Sequence, residues 1–125
     1  MKRLVRRIGL TAAAAAIAIA TTTAVAAPAH ATGHGQGWYG VWAYDVNIRQ
    51  NADVWCSVYP GPSRCPVVLT TVSAPQQVYV YCQTGGEMVG INDFWVWVYG
   101  NGHYGWMASY FTDNETNVID YVPMC

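Results

Sequence analysis

Phe94-Trp95-Val96-Trp97-Val98-Tyr99-Gly100-Asn101-Gly102 reads as a strand running into a tight turn. Aromatic and β-branched side chains fit a pleated, half-buried surface. Asn-Gly is the strongest two-residue hairpin signal, because a type I′ turn needs positive φ at both central positions. Tyr104–Ala108 then returns as the partner strand. Val96 and Val98 alternate with Trp95, Trp97 and Tyr99, so one of these two faces points inward.

Working outward, the same period-two logic recurs. Trp42, Tyr44, Val46 and Ile48 alternate with Ala43, Asp45, Asn47 and Arg49, which predicts a half-buried strand. Gln50–Cys65 is a long connection whose turn is Pro60-Gly61-Pro62-Ser63. Val67–Val72 and Val78–Gln83 are expected to form a hairpin around Ser73-Ala74-Pro75-Gln76, with Gly85-Gly86 interrupting the pairing. Thr112–Asn117 is polar, and Val118–Val122 offers one more short strand. No segment shows helical periodicity. Five or six short strands with tight turns make an all-β barrel or sandwich.

The first third of the chain is different in kind. Lys2, Arg3, Arg6 and Arg7 hold four of the six basic residues, and no further charge appears before Asp45. A basic start, an apolar Ala/Ile stretch from Ile8 and the small-residue site Ala29-His30-Ala31 together read as a cleaved secretion signal over residues 1–31. Ala24-Val25-Ala26 offers an alternative cut. A retained anchor is disfavoured because alanine-rich segments partition weakly into hydrocarbon. Residues 32–41 follow as a flexible Gly/His-rich leader, 42–112 as the domain, and 113–125 as a C-terminal extension.

After cleavage the remaining chain keeps two positive side chains, Arg49 and Arg64, against seven carboxylates. Such a surface repels phosphate backbones, which excludes non-specific nucleic-acid binding. All 17 aromatic residues lie in this part, more than one small core can hide. A domain of this size buries a modest fraction of its surface and needs covalent support. Cys56, Cys65, Cys82 and Cys125 supply it, being an even number in an exported chain. Zinc is disfavoured, since there is no CxxC and His34 and His103 lack ligand spacing. Three pairings are open. In the expected hairpin Val67 lies opposite Cys82, placing Cys65 one diagonal step away on the same face, so the register favours Cys65–Cys82 and, by remainder, Cys56–Cys125. The first would contribute about 3 kcal/mol in the chain-entropy account.

Val46-Asn47-Ile48-Arg49, Gly61-Pro62-Ser63, Pro66-Val67-Val68, the Val78–Gln83 strand with Trp95 and Val98, and Gly105-Trp106-Met107 before Ser109-Tyr110-Phe111 occur in an order that resembles the bacterial SH3 (SH3b) family. The resemblance spans about Asp45 to Phe111 and implies a small SH3-like barrel of five to six short strands, disulfide-stapled. It equates the long connection with the RT loop and nominates a ligand groove formed by Trp55 and Tyr59 of that loop, Trp95 and Tyr110. It also implies wall targeting, so the expected partner is cell-wall peptidoglycan through its peptide part. The extra residues around Trp55-Cys56 and the extension Asp113–Cys125 depart from the family pattern.

Catalysis lacks parts. His34 sits in the leader and His103 beside a turn, and neither GxSxG nor HExxH occurs. Asp113-Asn114-Glu115 with Asn117 and Asp120 is rich in oxygen but lacks calcium-loop spacing, and reads as a solvated acidic tail. Arg49 is expected to pair with Asp45 or Asp93. The expectation is a secreted or wall-associated non-enzymatic module with no cofactor, no metal and no membrane contact after signal cleavage. The alternative is a partner that is an extracellular protein, such as an enzyme inhibited by the Asp53–Arg64 loop. A structural envelope protein self-associating through its aromatics is a third reading.

Overall fold

The computed structural model describes residues 33–125; the expected signal segment and its cleavage sites lie outside them. Six strands form one antiparallel, half-barrel sheet: β1 (Gly37–Gly40), β2 (Val46–Arg49), β3 (Val68–Val72), β4 (Gln77–Val89), β5 (Asn92–Gly100) and β6 (His103–Ala108). Helix α1 (Val54–Val58) interrupts the long β2–β3 connection, and a 3-10 turn over Ser109–Phe111 follows β6. The strand order is β1-β4-β5-β6-β2-β3. The all-β, disulfide-stapled architecture expected from the sequence is therefore present.

The β5–β6 hairpin closes on Asn101-Gly102 with φ of 49° and 84°, and Gly100 pairs with His103 across it. Only a glycine, or a residue such as asparagine, adopts those angles cheaply. Val96, Val98 and Met107 face the main core with Ile48, Val72, Val78 and Val80. Trp95, Trp97 and Tyr99 thus project from the other face of β5. Trp95 is nonetheless buried, because the β2–β3 connection folds over that end of the sheet and packs Cys56 and Cys65 against Trp95, Trp106 and Ala108.

Several expectations are corrected. The chain is not extended from Trp42: Asp45 has a φ of 55°, the strand begins at Val46, and Trp42 and Tyr44 are exposed. The leader is not free over its length, since Gly37–Gly40 pairs with β4 and the buried Tyr39 hydroxyl donates to the Gly35 carbonyl and accepts from the His34 amide. Burial, the largest cause, raises the Tyr39 pKa above its ordinary value. The long connection holds a five-residue helix, started by the Asp53 carboxylate accepting from the Cys56 amide at 3.0 Å. The pairing of β4 with β5 does break at Gly85-Gly86, as expected: Gly85 lies opposite Phe94 and the next pair is Val89 with Asn92, although β4 itself runs on to Val89. Val118–Val122 is not a strand; Ile119 and Val122 are buried as tail residues.

The expected Cys65–Cys82 and Cys56–Cys125 bonds do not form, for a topological reason. β3 and β4 are consecutive in the chain but do not pair: β3 lies at one edge of the sheet beside β2, whereas β4 lies between β1 and β5. Cys65 is accordingly remote from Cys82 in sheet order. The bonds are Cys56–Cys65, within the long connection, and Cys82–Cys125, which fastens the tail to β4. Disulfides are features of oxidising compartments, and among the described residues no helix is long and apolar enough to cross a membrane.

Gly86 marks where the loop meets the sheet. A Cβ there would lie 2.2 Å from the Pro60 carbonyl oxygen and 2.6 Å from Trp95 Cδ1. The Glu87 carboxylate, next along the strand, accepts from both the amide and the hydroxyl of Ser63, and its amide donates to Pro60. Gly86→Ala is expected to cost about 1–3 kcal/mol, the range for overpacking a tight contact, read as a lowered urea midpoint.

Candidate functional site

The four aromatics nominated for one groove occupy three places. Trp55 and Tyr59 are exposed on and after α1, where the Arg64 guanidinium lies 5.4 Å and 5.1 Å from their ring centroids. This surface is open and shared with Ala52, Asp53, Ser63 and Pro66. Trp95 is 2% exposed, and its indole Nε1 donates to the Glu87 carbonyl at 2.8 Å. It nonetheless lines a narrow cavity of about 180 Å³, whose other walls include Tyr44, Asp45, Arg49, Pro62 and Phe111. Arg49 does not take the expected carboxylate: its guanidinium donates to the Cys65 carbonyl at 3.2 Å. Burial lowers the Arg49 pKa, an effect opposed by the Glu87 charge.

Tyr110 lines a different cleft, of about 400 Å³. The 3-10 turn carries Tyr110 against Trp42, whose indole Nε1 donates to the Tyr110 carbonyl at 2.8 Å; the rings meet edge-on at 5.4 Å. Gly90, with a φ of 61°, allows Tyr110 to close over the β4–β5 turn, since a Cβ there would lie 2.6 Å from the ring. Exposed Ile91 forms part of the apolar wall. Asp113, Glu115 and Asn117 also line the cleft. The Asp113 amide is tied to the Gly40 carbonyl at 2.9 Å, and Asn117 reaches the Ile91 carbonyl at 3.4 Å, so both ends of this segment are held by the sheet. Asn114 is nine-tenths buried; it donates to the Thr116 carbonyl and hydroxyl, and its Oδ1 has no partner among the described residues.

A cleft lined by aromatic rings and two acidic residues is chemistry for a cation carried on an apolar stem. Sequence reasoning missed Trp42, assigning it to a strand face, and treated Asp113 and Glu115 as solvated tail. The signal that was available is the run of polar residues directly after Ser109-Tyr110-Phe111, which the chain must place near Tyr110. Among the described residues no group of three or more His, Cys, Asp or Glu side chains is arranged to hold a metal ion.

Fold and surface together define a small, disulfide-stapled, all-β module bearing an aromatic, acidic cleft. No protein-family model matches the chain, no curated protein matches it in sequence, and no solved structure matches it.

Proposed function

We propose that the chain is a secreted, non-catalytic binding module of SH3b type that recognises cell-wall peptidoglycan through its peptide part. The observation that carries this reading is the Trp42–Tyr110 cleft with Asp113 and Glu115 on its rim. A stem peptide whose dibasic residue bears a free ammonium on an aliphatic chain supplies both halves of the match. Export is supported by the basic-then-apolar start and by two disulfides. The SH3b reading is supported by the motif order and by the adjacency of Val46–Arg49 to both the Val68–Val72 strand and the Gly105-Trp106-Met107 strand.

Purified residues 32–125 should co-sediment with bare sacculi. Trp42→Ala, at a residue already 51% exposed, should weaken this by roughly three- to thirtyfold, the range of a cation–π contact. Acetylating the free amines of the sacculi should abolish the same increment. Binding that ignores both changes would remove the cleft from the reading, and a clean supernatant would remove the wall ligand.

A second reading rests on a separate observation. Val54, Trp55, Val58 and Tyr59 are all exposed on the segment clamped by Cys56–Cys65. A preorganised apolar wedge of this kind suits an extracellular enzyme as partner, because little ordering cost remains on binding. A stoichiometric complex captured from culture medium and lost with Trp55→Ala would favour it.

A further inference from the structure

The outer face of the sheet carries an aromatic row that neither the cleft nor the clamped loop uses. Trp38 of β1 lies opposite Tyr79 of β4, Tyr79 opposite Tyr99 of β5, and Tyr99 opposite Tyr104 of β6. Four neighbouring strands thus present four aromatic rings in register. Their inward neighbours, Tyr39, Val78, Val80 and Val98, belong to the core, so the row faces out. Trp38 and Tyr104 are more than half exposed. Tyr81 broadens the row, with its ring 4.8 Å from Tyr79 and 6.0 Å from Tyr104. At the strand spacing of about 4.8 Å, the row spans roughly 14 Å.

We propose that this row is a second binding site, a platform on which a neutral β-1,4-linked glycan chain stacks. Three features select that occupant. No carboxylate or guanidinium occupies the row, although the chain after residue 31 is strongly acidic, so an ionic ligand finds no counter-charge. Every ring but Trp38 carries a phenol, which donates and accepts hydrogen bonds as sugar hydroxyls require. Desolvation, a hydrogen bond with Tyr104 and the neighbouring phenols all push the Tyr81 pKa upward. The third feature is geometry: Trp38, Tyr79, Tyr99 and Tyr104 stand on four successive strands about 4.8 Å apart, and ring contacts within the row run at 4.8–6.0 Å. That spacing is comparable with the advance per residue of an extended β-1,4-linked pyranose chain, whose flat C–H faces stack on aromatic rings. An α-1,4-linked chain coils and meets only one or two of them.

The site extends the wall reading without depending on it, and a peptide-free probe separates the two. N-acetylchitohexaose, titrated while following tryptophan fluorescence and amide chemical shifts, should bind and perturb Trp38, Tyr79, Tyr99 and Tyr104. Maltohexaose should not. Trp38→Ala combined with Tyr104→Ala should weaken hexaose binding by about tenfold or more, with the urea midpoint confirming that the variant is folded. Retained sacculus binding with no hexaose binding would overturn the platform and leave the cleft standing. Unchanged hexaose affinity in the folded double variant would also overturn it. So would a concentration-dependent dimer that the same double variant dissolves, since a second copy of the chain would then cover the row.

Discussion

Trp95→Ala should lower the unfolding free energy by about 3–5 kcal/mol, the range for truncating a large buried aromatic. The side chain is 2% exposed, packs with Cys56, Cys65, Trp106 and Ala108, and spends its only donor on the Glu87 carbonyl. Truncation opens a cavity and strands that carbonyl, and it loosens the clamped loop from the sheet. Small domains are stable by only about 5–15 kcal/mol, so this change takes a large share of the total. Urea denaturation followed by fluorescence reads it as a midpoint shift. Trp55→Ala, at a residue 64% exposed, should stay within about 0.5 kcal/mol of the parent. Equal effects of the two substitutions would show that the loop does not cover β5. Loss of ligand binding in Trp95→Ala therefore says nothing about a groove, because the loop and its neighbours are disturbed with it.

This contrast between two tryptophans shows where sequence reading succeeds and where it stops. Asn101-Gly102 is legible because the turn's requirement, positive φ at two successive residues, is local and few residues meet it. The separation of Val96 and Val98 from Trp95, Trp97 and Tyr99 is equally local. Which of the two faces fills the barrel is less so, since both are apolar. Which outward ring is covered is set by how the Cys56–Cys65 segment docks, a long-range fact with no periodic trace. The disulfide partners were hidden for a related reason: consecutive strands usually pair, and β3 and β4 are an exception. Alternation was misleading at Trp42 and Tyr44, where Asp45 turns the chain before the strand begins. Of the four nominated site residues, Tyr110 reached a cleft because its motif lies on the turn after β6, and its partners Asp113 and Glu115 come from a segment with no pattern of its own.

Replacing Cys82 and Cys125 by serine should cost about 4 kcal/mol, the chain-entropy value for a bond joining residues 43 apart. The shorter Cys56–Cys65 bond, with a separation of 9, is worth about 3 kcal/mol on the same scale. The tail should nonetheless stay docked in the double-serine variant. Gln83 is buried and fully used: its Nε2 donates to the Ile119 and Val122 carbonyls at 2.9 and 2.8 Å, and its Oε1 accepts from the Ile119 amide at 2.8 Å. Its own backbone also bonds Pro123 and Cys125, while Ile119 and Val122 fill the core. Gln83→Met leaves the Ile119 amide and the Val122 carbonyl unpaired, each at about 1–3 kcal/mol if it remains buried, while the Ile119 carbonyl keeps the Val122 amide. With the disulfide intact, Cys125 keeps the tail near the sheet and that penalty is borne in full. Once the disulfide is gone, the tail can leave and return those groups to water, so the penalty cannot exceed the free energy of tail docking. The combined variant should then lose less than the sum of the separate losses. Amide exchange at Ile119 should be protected in the double-serine variant and fast in the combination. Additivity within about 0.5 kcal/mol, or fast exchange at Ile119 in the double-serine variant alone, would show that the cystine rather than Gln83 holds the tail in place.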